Sequence, residues 1–303
     1  MEVPPFNSSA PTPGVDRVIF DSAQGQWSHS SSAAPAALKD IVIQFWEAHG
    51  FVDYSREKIL PQGTIELIVN LGPPHQTLDG GDLSAIGTFH SAWISGLHER
   101  ALIAAPTYDT VKYGTLLVGA SLTASGAYAL LGLSGRPLTN TVVELSELFT
   151  RTEIELLREK LYEAADTAGR FQAFARALLK RRDALGREVS TCVSWSLATM
   201  ENADGSIRVE DLAYMCGVSR KHLAVRFQDE IGLSPKRYAR TLRFAALVRR
   251  LENCKTPNWS ELALTCGYYD QAHLAREFRM FSGETPTEFM RARSPDCKTI
   301  IYD

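Results

Sequence analysis

The chain contains 303 residues, of which 45% are hydrophobic and 22% are charged, and its formal net charge is −3. These values are those of an ordinary globular protein, and the length is sufficient for about two domains. The five cysteines lie far apart and form no C-x-x-C pair, which argues against a zinc ribbon or a disulfide framework. The sequence therefore predicts neither a bound metal nor a cofactor.

The N-terminus, MEVPPFNSSAPTPG, has no basic segment followed by an apolar run, so it is unlike a secretory signal. Its proline and serine content predicts a disordered tail over residues 1–14. We therefore expect a cytoplasmic protein.

Residues 15–149 are predicted to form a β-rich domain with flanking helices. Within REKILPQGTIELIVNLG, alternate residues are apolar, which is typical of a half-buried strand; these residues are Ile65, Leu67, Val69 and Leu71. The uncharged stretch at 113–135, YGTLLVGASLTASGAYALLGLSG, is long enough to cross a bilayer, but five glycines and five serine or threonine hydroxyls dilute its hydrophobicity. A buried strand, a turn and a short helix fit it better, so no membrane association is expected.

The N-terminal half is also predicted to hold a small-molecule effector. Ligand pockets are mostly apolar and contain a few polar groups that orient the ligand. The predicted lining is Trp27, Trp46, Trp93, Tyr108 and Tyr113, with Glu66 as the polar anchor. The alternative is that these aromatic side chains are ordinary core residues.

No catalytic residue is predicted. The sequence contains no G-x-S-x-G, H-E-x-x-H, G-x-G-x-x-G or Walker-type phosphate loop. His90 and His98 are eight residues apart without a carboxylate partner, which favours ordinary polar residues over metal ligands. The chain is not expected to be an enzyme.

A helical connection is predicted over residues 150–186. Thr150 and Glu153 form a capping-box pattern, and two helical runs of apolar residues follow. The first run is Ile154, Leu157, Leu161 and Ala164, and the second is Phe171, Phe174, Ala175 and Leu178. We expect both runs to pack under the sheet, and a homodimer seam is the alternative.

The basic part of the chain is its C-terminal third. Residues 187–293 contain 16 basic and 13 acidic residues, whereas residues 1–186 contain 15 basic and 20 acidic residues. Such a small excess is weak evidence for a nucleic-acid partner by itself. Whether this region binds nucleic acid must therefore be judged from where its basic residues are placed.

The same third contains an internal repeat. CGVSRKHLAVRF at 216–227 returns as CGYYDQAHLAREF at 266–278, with an offset of 50 residues before the turn and 51 after it. Each copy has a short amphipathic helix, a glycine-containing turn and a second helix that begins at a capping residue, Ser219 or Asp270. The repeat therefore predicts two helix-turn-helix units.

Residues 234–253 connect the two units and are predicted to form one long helix. Ser234 is a suitable N-cap, Pro235 suits the first helical position, and no glycine or proline follows within the segment. A helix of this length can hold two recognition helices near the ~34 Å repeat of the major groove.

Each second helix has a face opposite its core residues that carries basic, polar and small side chains. Such side chains permit close approach to a groove and contact with phosphates or base edges. The predicted DNA-contacting residues are Arg220, Lys221, Ala224, Val225 and Gln228 in the first unit and Gln271, Ala272, Ala275, Arg276 and Arg279 in the second. A solvated helix face is the alternative for one such helix, and the duplication favours DNA.

Residues 187–293 resemble the DNA-binding domain of the AraC/XylS family of transcription regulators. The segment GYYDQAHLAREFRMFSGETPTEF is similar to the family pattern G-Y-x-D-Q-x-H-L-x-R-x-F followed by G-x-T-P-x-x-F. The resemblance implies that the helices after Ser219 and Asp270 are the recognition helices. Family members often carry arginine two residues after the core leucine, where this chain has Arg276 in the second copy and Val225 in the first. This departure weakens the expectation of base reading by the first unit.

The N-terminal half has a resemblance of its own. ILPQGTIELIVNLG and ASGAYALLGLSGRPLTNTVVEL are similar to the sensor-like domain of a subset of AraC-type regulators, and this resemblance implies no particular ligand.

Together these features predict an α+β protein. A β-rich N-terminal domain is followed by an all-α domain of two helix-turn-helix units over 187–293 and a C-terminal tail over 294–303. The predicted function is sequence-specific regulation of transcription on double-stranded DNA. A small-molecule effector, RNA polymerase and a second copy of the chain are candidate partners.

Two other functions are the alternatives. The first is a regulatory interaction protein that acts mainly through protein contacts and binds DNA weakly. The second is a DNA-repair methyltransferase, since a similar helical domain is attached to such enzymes. These enzymes need a reactive cysteine in the attached domain, and residues 1–191 contain none.

Overall fold

The computed structural model describes residue 3 and residues 13–132, 134–185, 187–252, 254–294 and 299–302. The predicted disordered tail lies almost entirely outside the described residues. Twelve strands are found within the described ranges, and they form two antiparallel sheets. Their bounds are β1 Asp16–Ser22, β2 Gly25–Ala33, β3 Val42–Val52, β4 Arg56–Ile59, β5 Ile65–Asn70, β6 His75–Leu78, β7 Ala85–Phe89, β8 Ala92–Ser95, β9 Leu102–Pro106, β10 Thr115–Leu122, β11 Val142–Glu144 and β12 Thr299–Tyr302.

The larger sheet has seven strands in the order β1-β2-β3-β10-β5-β8-β11, and the smaller has five in the order β12-β4-β9-β6-β7. The helices are α1 Tyr108–Tyr113, α2 Gly126–Leu131, α3 Arg151–Glu163, α4 Thr167–Leu185, α5 Thr191–Asn202, α6 Val209–Met215, α7 Arg220–Glu230, α8 Pro235–Leu251, α9 Trp259–Thr265, α10 Gln271–Ser282 and α11 Pro286–Ala292. The predicted α+β class, with a β-rich domain before a helical one, is confirmed.

One face of the larger sheet is covered by helices. Val69 and Val118 of the paired strands β5 and β10 are fully buried there. From α4, Phe171 and Phe174 lie 6.1 and 5.7 Å from the ring of Phe45 in β3. The apolar face of α4 therefore packs within the chain, as expected from its spacing.

Helix α3 begins where its sequence predicts. The Thr150 hydroxyl accepts from the Glu153 N–H at 3.3 Å, and the Glu153 carboxylate accepts from the Thr150 N–H at 2.9 Å. These hydrogen bonds to Thr150 hold the pKa of Glu153 below its usual value. The capping box is therefore complete.

The uncharged stretch at 113–135 contains β10, a turn and the buried helix α2. This is the arrangement that its composition predicts. Searching the described residues for a helix with the length and apolarity needed to cross a membrane yields none.

The hydrophobic side chains form two clusters that share helix α8. Tyr238 and Leu242, in its first half, belong to the cluster that extends from the larger sheet into the first helix-turn-helix unit. Phe244 and Leu247, in its second half, belong to the cluster of the second unit. The core of the first unit is therefore continuous with that of the N-terminal domain.

The predicted C-terminal tail contains a strand. Residues 299–302 pair with β4 as β12, and Ile300 is fully buried. The sequence did not predict this strand because the pairing partner lies more than 200 residues away, and only the assembled fold provides the buried position.

Candidate nucleic-acid interface

The first helix-turn-helix unit consists of α6, a turn and α7. Gly217 allows the turn because its φ is +66°, a conformation that favours glycine. The Ser219 hydroxyl then accepts a 3.1 Å hydrogen bond from the His222 N–H and caps α7. Leu223 and Phe227 are fully buried, which turns the opposite side of α7 outward.

The second unit repeats this construction with α9 and α10. Gly267 has a φ of +74°, and the Asp270 carboxylate accepts a 2.6 Å hydrogen bond from the His273 N–H. Leu274 and Phe278 are fully buried. The two predicted recognition helices and their capping residues are therefore present.

The predicted DNA-contacting residues all reach the surface. Those classed as exposed are Arg220, Lys221, Val225, Gln271, Ala272, Arg276 and Arg279, and those half-buried are Ala224, Gln228 and Ala275. Among the described residues, neither Lys221 nor Arg276 has an ion-pair partner. Their charges are therefore available to an external anion.

Three of these residues are bonded within the domain. The Arg220 guanidinium lies 3.0 Å from the Glu210 carboxylate in α6, and Gln271 accepts a 3.1 Å hydrogen bond from Ser260 in α9. The two pairs occupy equivalent positions of the repeat. Gln228 donates to the Gly232 carbonyl at 2.8 Å, so all three side chains have partners within the protein.

Several arginines of α8 form ion pairs within the protein. Arg240 pairs with Glu277 at 2.6 Å, and Arg249 and Arg250 pair with Asp204 at 2.7 and 3.2 Å. Two carboxylates thus oppose these three charges, so the pairs neutralise them only in part.

Sequence reasoning missed three exposed apolar side chains beside the recognition helices. Tyr214, Leu264 and Tyr269 are 87%, 70% and 86% exposed. Tyr214 and Leu264 are separated by 50 residues and so occupy equivalent positions of the repeat. This equivalence in the repeat could have indicated that Tyr214 and Leu264 share an exposed position. For Tyr269 the sequence gives no such signal, because nothing in the pair Tyr268-Tyr269 indicates which tyrosine is buried.

Comparison with known proteins agrees with this geometry. Residues 212–292 match a family model described as a helix-turn-helix domain. Over 95 residues the chain is 30% identical to XylDLEGF operon transcriptional activator 1 of Pseudomonas putida, covering 31% of this chain and 29% of that protein. These matches confirm that the C-terminal domain resembles AraC/XylS-type transcription regulators.

Other matches extend the comparison. The chain is also 30% identical over 90 residues to the HTH-type transcriptional regulator Rv1931c of Mycobacterium tuberculosis, covering 30% of this chain and 34% of that protein. The chain thus spans about a third or less of the length of these curated relatives. The crystal structure of ToxT from Vibrio cholerae O395 aligns over 82% of this chain and 97% of that chain, with 10% identity and a TM-score of 0.44.

Three of the six predicted effector residues lie together on the larger sheet. The strand register places Trp46 and Trp93 in one row and Glu66 in the next row of the same face. The Trp46 indole N–H donates to the Glu66 carboxylate at 2.8 Å, and the Ser121 hydroxyl donates to it at 2.9 Å. This group combines two aromatic rings with one charged acceptor.

The other three lie elsewhere. Trp27 stacks on Phe20 at 5.1 Å and lines a cleft of about 570 Å³ next to Arg291. Tyr108 and Tyr113 are 78% and 53% exposed on α1. The structure therefore does not gather all six residues into one pocket.

Two histidines near this face are half-buried. His98 lies 2.9 Å from the Ser95 hydroxyl, and His75 lies 3.1 Å from the Thr115 hydroxyl. Burial lowers the pKa of each to about 4, so both imidazoles are neutral at pH 7. Within the described part of the chain, no group of three or more His, Cys, Asp or Glu side chains is arranged to hold a metal.

Proposed function

We propose that this protein is a transcription regulator that binds a specific site on double-stranded DNA through both helix-turn-helix units. The observation that carries the proposal is the duplicated unit itself. Two capped recognition helices expose equivalent faces and are joined by the single helix α8. A matched pair of recognition helices suits two successive turns of one groove.

The two units are proposed to divide recognition unequally. Arg276 in α10 offers a planar fork that suits the O6 and N7 acceptors of guanine. In α7, Lys221 offers a point charge for a phosphate, and Val225, which is 52% exposed, offers an apolar contact for a thymine methyl group. The second unit would then contribute most of the base preference.

The N-terminal domain is proposed to receive the signal. The group of Trp46, Glu66 and Trp93 supports a small-molecule effector, because aromatic walls with one oriented acceptor are typical of ligand sites. RNA polymerase and a second copy of the chain are proposed as protein partners. The relatives named as a transcriptional activator and a transcriptional regulator support this assignment.

Selection from a randomised library of duplexes with the purified full-length protein tests the proposal. We expect enrichment of one motif with two parts about one helical turn apart. Enrichment of no motif, with weak binding to all duplexes, would contradict it and favour a regulator that works through protein contacts. If a motif is enriched, sequencing of bound genomic fragments would identify the genes next to its genomic sites.

A further inference from the structure

The core of the second helix-turn-helix unit is completed by residues from outside the unit. Phe281 of α10 and Phe289 of α11 are buried in a cluster that also contains Leu60 and Ile300. Leu60 belongs to the N-terminal domain, and Ile300 belongs to β12. The second unit is therefore packed against the N-terminal domain on the side that is not covered by α8.

The polypeptide after α11 strengthens this attachment by joining the smaller sheet. β12 pairs antiparallel with β4 over four residues, with Ile300 opposite Lys58 and Tyr302 opposite Arg56. β12 thus becomes the edge strand of a sheet whose other strands all come from the N-terminal domain. We call residues 299–302 the strap.

Polar contacts tie the strap and the sheet to the end of α10. Glu284, two residues after α10, forms an ion pair with Lys58 of β4 and accepts a 2.7 Å hydrogen bond from the Tyr302 hydroxyl. The Lys58 ammonium also lies 5.3 Å from the centre of the Tyr302 ring. In addition, the Ala101 N–H donates to the Phe281 carbonyl at 2.6 Å.

The first unit is attached to the N-terminal domain at the corresponding end of its own recognition helix. The Gly135 N–H donates to the Asp229 carbonyl at 2.7 Å, and the Thr139 hydroxyl donates to the Gly232 carbonyl at 3.0 Å. Gly135 lies so close to Ile231 and Gly232 that a Cβ atom there would collide with their backbone. Both recognition helices therefore rest on one domain at their C-terminal ends, while their outward faces stay exposed.

We propose that the N-terminal domain sets the separation of the two recognition helices, so that the protein accepts only one spacing between its two half-sites. In this arrangement Lys58, Glu284 and Tyr302 are positioning residues that act on DNA through α10. The inference rests on the proposed DNA binding. Without the strap, the two units would be joined mainly through α8.

Half-site spacing is a sensitive readout because DNA is helical. Insertion of one base pair moves the second half-site by about 3.4 Å and rotates it by about 36° around the duplex axis. Two helices held by one rigid domain cannot follow both changes. A second unit that is released from the sheet can follow them in part.

The test uses full-length protein and duplexes that carry the selected motif with zero, one or two base pairs inserted between its halves. For the wild type, we expect one inserted base pair to weaken binding about tenfold or more. For the double variant Lys58→Met, Tyr302→Phe, which removes both partners of Glu284, we expect a loss of about threefold or less on the same duplex. We call the affinity for the original duplex divided by the affinity for the duplex with one inserted base pair the spacing ratio. If the three residues only stabilised the fold, the double variant would bind all duplexes more weakly and would keep the spacing ratio of the wild type.

Matched variants separate the strap from general effects on the fold. Tyr54→Phe removes a phenol whose hydroxyl donates to Glu57 at 3.2 Å, within the N-terminal domain, and should keep the wild-type ratio. Ile300→Ser should relax the ratio, whereas Ile301→Ser, at the half-buried neighbouring position of the strap, should relax it less. If Ile300→Ser fails to fold, the Lys58→Met, Tyr302→Phe variant carries the test.

The two proposals fail in different ways. An unchanged spacing ratio in the double variant overturns the role of the strap and leaves DNA recognition intact. If the wild-type protein binds all duplexes equally and selects no motif, the proposed function itself is overturned.

Discussion

Arg276 is the side chain from which we expect most base preference. It is exposed on α10 and has no ion-pair partner among the described residues. Arg276→Ala should weaken binding to the selected duplex by about 1–3 kcal/mol and relax the preference at one base pair. Arg151→Ala, which removes an exposed arginine in α3, is the control and should change neither quantity.

Lys221 should behave differently because an ammonium group lacks the planar fork of arginine. We expect Lys221→Ala to weaken binding about equally on all sequences and to reduce the slope of log K against log salt by about one. Equilibrium titrations on matched and scrambled duplexes separate the two patterns.

An Arg276→Ala protein with unchanged affinity and salt slope would show that α10 does not enter a groove.

The half-buried His98 predicts a dependence of stability on pH. Its pKa is about 4 in the folded protein, and that of an unfolded histidine is about 6.5. As the pH falls below about 6.5, His98 binds a proton in the unfolded state but not in the folded state, so the free energy of unfolding decreases. The decrease stops below about pH 4, where the folded state binds the proton as well. His75 contributes in the same direction.

For His98 alone the loss approaches about 3 kcal/mol at pH 4. His98→Gln keeps a side chain that can bond to Ser95 and should reduce this slope. Denaturant unfolding at pH 7, 5.5 and 4 measures the difference. Equal slopes in the wild type and His98→Gln would show that folding does not lower the pKa of this imidazole.

At the scale of elements, the larger sheet has a close contact that requires a glycine at position 119. Gly119 of β10 is paired with Trp46 of β3, and a Cβ atom at Gly119 would overlap the indole ring. Gly119→Ala should therefore lower the free energy of unfolding by about 1–3 kcal/mol and break the hydrogen bond between Trp46 and Glu66. Gly80→Ala, where no atom lies within 4 Å of the new Cβ, should have little effect.

Thermal unfolding and tryptophan fluorescence report the two consequences separately. A Gly119→Ala protein with wild-type stability and unshifted fluorescence would contradict the placement of Trp46 on this face.

Elements specified by neighbouring residues could be predicted from the sequence. Ser219, Asp270 and Thr150 cap their helices as expected because a cap involves residues only three positions apart. The buried strand predicted within the uncharged stretch at 113–135 is present as β10.

Features that depend on distant residues could not be predicted. The ion pair of Lys58 with Glu284 joins residues 226 positions apart, so no local pattern contains it. The aromatic residues of the N-terminal half were recognised as a set, but their distribution between the sheet face, the cleft and the exposed helix α1 follows from strand register. Composition carries no information about register.

At the scale of the molecule, the central feature is a pair of recognition helices held by one framework. The first unit shares a continuous core with the N-terminal domain, and the second is attached through the strap. A change in the N-terminal domain, such as effector binding, would therefore act on both units at once. This gives a direct physical route from the proposed sensor to DNA.

The central claim, recognition of a specific DNA site, is tested most directly by titration of the full-length wild type. The protein is titrated with the selected duplex and with a scrambled duplex of the same composition, at two salt concentrations. We predict that the selected duplex binds about 10³-fold tighter or more, and that both affinities fall as salt rises, because phosphate contacts contribute to both. Equal affinities for the two duplexes at both salt concentrations would contradict the account.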